Sequence, residues 1–200
     1  MTIDTNDMLN SILESISRID YIHPGDIPNI DLYMDQVTTF MDSQLASTKR
    51  YEEDKILTKT MINNYAKNNL LPPPIKKKYS REHVLVLIFI YYFKNILSIR
   101  DIESLLNPIT EKYFSGEGSL AMSALYEEVC RMEKGRIDSL KETIQSAYET
   151  SETAFSDVPE EDREYLKLFA FICNLSFDVY VKKQLIEKLI DELPKEEKKK

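Results

Sequence analysis

Nine side chains of this sequence have the types and spacing to grip a polyanion: Lys59, Thr60, Asn63, Asn64, Lys67, Lys76, Lys77, Lys78 and Arg81. Lysine and arginine neutralise phosphate, and an amide side chain pairs two-pronged with the edge of an adenine, so this mixture suits double-stranded DNA. All nine fall within 55–81, which holds seven Lys or Arg and no Asp or Glu in a 200-residue chain of net charge −8. Residues 1–54 carry three basic and eleven acidic residues, and 82–200 carry 16 and 23. A basic island in an acidic protein has a local field for phosphate that the whole molecule lacks.

Other chemistry finds less support. Cys130 and Cys173 are far apart, with no Cys-x-x-Cys spacing and no histidine nearby, so neither a disulfide framework nor a zinc site is expected. Two buried thiols in a reducing cytoplasm are the expectation instead. His83 stands where a helix should begin and His23 precedes a Pro-Gly turn, so neither reads as a general base. Glu127-Glu128 and Glu160-Glu161-Asp162 are adjacent acids that diverge around a helix and make a solvated face. Ser115-Gly116-Glu117-Gly118 follows no strand and lacks the Lys-Ser/Thr of a phosphate loop. No cofactor, metal or enzymatic activity is expected. The N-terminus has no signal-peptide character. The most apolar run, 84–93, falls well short of the roughly 20 residues that cross a bilayer, so a soluble, cytoplasmic protein is expected.

The elements that must position the basic residues are helices. Only four glycines occur, too few for the turns of a sandwich or a dinucleotide-binding fold, and the fold class expected is all-α. Met8, Leu9, Ile12, Leu13, Ile16 and Ile19 predict a helix over 7–19, and a second is predicted over 31–45. Thr58 caps a third helix ending at Asn68, with Asn69 in the left-handed position. At 100° per residue Met61, Ile62, Tyr65 and Ala66 share one side, leaving Lys59, Thr60, Asn63, Asn64 and Lys67 on the other. Three prolines, 72–74, end that helix before an extended or looped basic segment, 75–79. Ser80 caps a buried helix over 81–95, for which a strand is the rival. Ser98 with Asp101 caps another, which Asn107-Pro108 should end.

Beyond a linker at 108–118, the stripe Met122, Leu125, Val129, Met132, Ile137, Leu140, Ile144, Ala147 slips phase at Gly135 and predicts a bend or break in a helix over 119–150. Two helices should fill 160–193, followed by a polar tail, 194–200. The organisation expected is therefore an N-terminal helix (1–25), a helix-turn-helix domain (26–107), the linker, and a helical oligomerisation or effector subdomain (119–193).

Asn64-Tyr65-Ala66-Lys67-Asn68-Asn69-Leu70-Leu71-Pro72-Pro73, followed by Tyr79-Ser80-Arg81-Glu82-His83-Val84, resembles the DNA-binding domain of the MerR family of winged-helix transcription regulators. In that family a paired tyrosine, a Leu-Leu-Pro-Pro turn, a wing and a Tyr-Ser helix start follow one another. Here Asn63 and Asn64 replace an Arg and the first Tyr, and the wing is shorter. The runs 27–37, 63–65 and 77–83 are more similar to a bacterial family catalogued as domain of unknown function 1836. The resemblance implies a winged helix-turn-helix with a short wing, helix 58–68 in the major groove of double-stranded DNA, and loop 75–81 on phosphates. It also implies a homodimer through 119–193 that reads a palindromic site, with no effector identified. The competing reading is a non-enzymatic protein-interaction module that keeps the fold without binding DNA.

Overall fold

The computed structural model describes residues 5–16, 21–115, 120–133 and 135–194. Among them the fold is mainly helical, with one two-stranded sheet. In chain order the elements are α1 (Thr5–Ile16), β1 (Leu32–Tyr33), α2 (Met34–Gln44), α3 (Lys59–Lys67), β2 (Lys78–Tyr79), α4 (Arg81–Phe93), α5 (Ile99–Tyr113), α6 (Met122–Glu133), α7 (Arg136–Glu152) and α8 (Glu160–Asp191). The chain divides into two compact units, Met1–Met132 with Leu193–Lys200, and Glu133–Glu192.

The first unit is built around α4. Every residue from 83 to 91 is buried, because a helix apolar on all sides must be surrounded. Around it lie Val37 and Met41 of α2, Ile62 of α3, Ile102 and Leu106 of α5, and Tyr126 of α6, all at 2% exposure or less. The Tyr126 hydroxyl donates to the Ile22 carbonyl at 2.6 Å, tying α6 to the segment before β1. Burial drives that phenol far above its ordinary range, so it remains a donor. Lys94 closes the other end of α4 by donating to the Ile56 carbonyl at 2.7 Å.

Several expectations need correction. The segment 31–45 opens with β1, antiparallel to β2 in the register Leu32 to Tyr79 and Tyr33 to Lys78. Pro108 does not end α5, which continues to Tyr113. The missing N–H costs one helical bond, but Ile102, Leu106 and Thr110 recur every four residues on the buried face and hold the backbone helical. The start of the expected linker is therefore helix; its glycine run 116–118 lies outside the described residues, as do residues 17–19 of the first predicted helix and 195–200 of the tail. Cys130 is half-buried and Cys173 exposed, rather than both buried.

The second unit is a helical hairpin. The break falls at Gly135, whose φ of 88° is open to glycine and strained for other residues. α7 and α8 pack together through the rings of Tyr148 and Phe171, 5.4 Å apart, and the Lys167–Glu152 ion pair at 3.2 Å. One helix of 32 residues replaces the two expected over 160–193, since no Gly or Pro interrupts 160–191.

Candidate nucleic-acid interface

α3 begins where Thr58 Oγ1 accepts the Met61 N–H at 3.2 Å. Ile62 and Tyr65 bury its apolar side, which leaves Lys59, Thr60, Asn63, Asn64 and Lys67 exposed together, as their spacing predicts. The helix ends because Leu70 and Leu71 are both fully buried and pull the chain inward. Asn69 takes φ 57° to make that turn, and the N–H groups of Leu70 and Leu71 both donate to the Tyr65 carbonyl, at 2.9 and 3.2 Å. The polar face is thus held rigidly by an anchor at each end.

After the prolines the chain makes a two-residue hairpin turn. Ile75 and Lys78 exchange backbone hydrogen bonds at 3.1 and 2.9 Å, and the two central residues, Lys76 and Lys77, have φ of 50° and 65°. Left-handed backbone at both positions matches the twist of a tight hairpin but favours Asn and Gly, and non-glycine residues there cost roughly 1–2 kcal/mol each. Lys76 and Lys77 are exposed at the tip, beside Ile75 at 75% exposure.

His83 sets where this hairpin stands. It occupies the third position of α4 and is 2% exposed. Its Nδ1 accepts the Ser80 N–H at 3.0 Å, which assigns the proton to Nε2, 3.4 Å from the Pro73 carbonyl. Its ring also meets Tyr79 and Phe114 edge to face, with centroids 5.5 and 4.7 Å away. Burial holds its pKa below the usual histidine value, against the opposing pull of the Pro73 carbonyl and the Glu82 and Asp31 carboxylates. The sequence marks His83 only as a helix-start residue; the helix start is also the joint between proline turn and core.

The nine predicted residues are not equivalent. Thr60, Asn63, Asn64, Lys67, Lys76 and Lys77 are exposed and make no side-chain hydrogen bond or ion pair among the described residues. Lys59 forms an exposed ion pair with Asp35 of α2. Lys78 is half-buried, its Nζ 5.3 Å from the centroid of the Tyr33 ring. Arg81 is also half-buried and donates through Nη2 to the Pro24 carbonyl at 2.8 Å, so it pins the N-terminal segment. The contacts of Asp35 and Tyr33 escaped the sequence reading because each meets a lysine more than twenty residues away, a pairing that spacing within one helix does not show.

No helix among the described residues is long and apolar enough to cross a membrane, and no group of three His, Cys, Asp or Glu side chains stands together there as a metal site. The architecture defines a mainly helical protein with a basic helix-and-hairpin surface. Residues 22–129 match the family described as Domain of unknown function (DUF1836), and the chain belongs to that family. No curated protein and no solved structure matches it.

Proposed function

We propose that the first unit binds double-stranded DNA as part of a transcription regulator, with α3 in the major groove and the 75–78 turn on the phosphate backbone. The observation that carries this reading is the rigid, acid-free face of Thr60, Asn63, Asn64 and Lys67, followed directly by a strained turn that presents Lys76 and Lys77. Asn63 and Asn64 have the chemistry to read adenine, and the lysines to hold guanine or phosphate. The succession α2, α3, basic turn, α4 and α5 is also the order that a MerR-like winged helix-turn-helix requires, and supports that assignment. Lys59, Lys78 and Arg81 fit supporting roles, given their partners Asp35, Tyr33 and Pro24.

Fluorescence anisotropy on a mixed-sequence duplex across a salt series tests this reading. Affinity should fall steeply with salt, and Lys76→Ala with Lys77→Ala should make the logarithmic slope shallower by about 0.9 for each phosphate no longer neutralised. Asn63→Ala with Asn64→Ala should leave the slope unchanged while reducing preference among sequences. Absence of binding at low salt would overturn the proposal. It would favour the second reading, a protein-interaction module, for which the neutralisation of Lys59 by Asp35 and the net charge of −8 are the specific observations.

A further inference from the structure

The turn that ends α3 and the C-terminal half of α5 border a cleft of about 330 Å³ within the first unit, at the small end of the roughly 300–1,000 Å³ typical of small-molecule sites. Asn69, Leu71 and Pro72 line it from the turn, and Asn107, Thr110, Glu111 and Phe114 from α5 and its C-terminal end. Leu71, Pro72 and the ring of Phe114 give it apolar surface. Phe114 is backed by the buried His83 ring, 4.7 Å away between centroids, so that surface is firmly held.

The polar groups of α5 that line the cleft are acceptors. Thr110 Oγ1 donates its hydrogen to the Asn107 carbonyl at 3.0 Å and has only lone pairs left to offer. Asn107 Oδ1 is buried with no hydrogen-bond partner, a state that folded proteins rarely leave uncompensated. Glu111 adds a carboxylate, and none of the described lining residues is Lys, Arg or His. Lys112, the nearest cation in the chain, holds its ammonium 5.2 Å from the centroid of the Tyr113 ring. The backbone adds to the same potential. α3 ends two residues before Asn69 and α5 one before Phe114, so two helix C-termini, each the negative end of its dipole, meet at the cleft. An anion would find acceptors and negative charge here, whereas an ammonium, with three donors and no acceptor, is the complement.

We propose that this cleft binds a small organic cation, a primary ammonium carried on a short apolar body. The ammonium donates to Thr110 Oγ1, the Glu111 carboxylate and Asn107 Oδ1, the Asn107 amide turning about its soft terminal torsion to bring that oxygen into the cleft. The apolar body lies against Leu71, Pro72 and Phe114, and the Phe114 ring also attracts the charge. An occupant therefore braces the turn after α3 against α5. The site stands whether or not the first unit binds DNA.

Amide chemical shifts of the isotope-labelled full chain, titrated with phenethylammonium, phenethyl alcohol and hydrocinnamate, test the proposal. These probes share an aromatic body and differ in the charge of the head group. The ammonium should shift amides in 69–71 and 109–115 and bind roughly tenfold tighter than the alcohol, with the carboxylate weakest. Glu111→Gln should weaken the ammonium by about threefold and leave the alcohol unchanged, as suits an exposed carboxylate. Asn107→Leu, of nearly the same shape, should remove most of the preference for ammonium over alcohol, with circular dichroism showing that the helices remain. The comparison of probes needs no variant and decides the matter even if Asn107→Leu does not fold. Equal affinity for the three probes, no binding of the ammonium at millimolar concentration, shifts lying away from the cleft, or folded variants that bind it like the wild type would each overturn the proposal.

Discussion

His83 joins three things that usually lie apart: the start of a buried helix, a run of prolines, and a basic turn. Because its Nδ1 accepts from Ser80 and Nε2 faces the Pro73 carbonyl, only the neutral ring in one tautomer satisfies the site while buried. Its folded pKa is lowered, so between that value and about 6.5 the unfolded chain binds more protons than the folded one. The contribution to stability is therefore fully present above pH 6.5 and is lost as the pH falls from there through the folded value. Urea denaturation at pH 7.5 and 5.5 should show this loss, and His83→Gln should flatten the difference. A variant with an undiminished pH dependence would show that another group controls it.

At the scale of elements, the hairpin turn and α5 both hold residues that local preference disfavours. Lys76 and Lys77 occupy left-handed backbone suited to an Asn-Gly pair. The double substitution Lys76→Asn with Lys77→Gly should stabilise the first unit by about 1 kcal/mol while weakening binding to a DNA duplex. Thermal melting and anisotropy read the two effects separately, and a variant that neither gained stability nor lost affinity would contradict the strain argument. Pro108 is exposed within α5, so Pro108→Ala should restore an intrahelical bond and add on the order of 1 kcal/mol or more in chemical denaturation. Here local sequence misled: a proline reads as a helix end, but Thr110 and Phe114 beyond it have places in the core and against His83. The cap at Ser98, by contrast, was fully legible, because Ser98 and Asp101 exchange hydrogen bonds across only three residues.

For the whole molecule, the uneven distribution of buried side chains between the two units sets how each should unfold. The first unit surrounds α4 on several sides, whereas the hairpin of α7 and α8 buries only Tyr148, Ser151, Phe171 and Ile190 among its described residues. A fragment of residues 1–132 should therefore melt cooperatively by circular dichroism, since its core is nearly self-contained. A fragment that melted without a transition would show that the core depends on residues beyond 132. The sequence alone determined what is local: the cap at Thr58, the exposed cationic side of α3, the left-handed Asn69, the apolar run 84–93 of α4 and the break at Gly135. These follow from spacing and from backbone preferences that act within a few residues. Tertiary structure alone decided that Arg81 is engaged by Pro24, that Asp35 answers Lys59, that Leu32 and Tyr33 pair with Tyr79 and Lys78, and that the aromatics of α8 stay in water. Each of those depends on which distant part of the chain arrives, and periodicity along one helix shows that a face is apolar without showing what covers it.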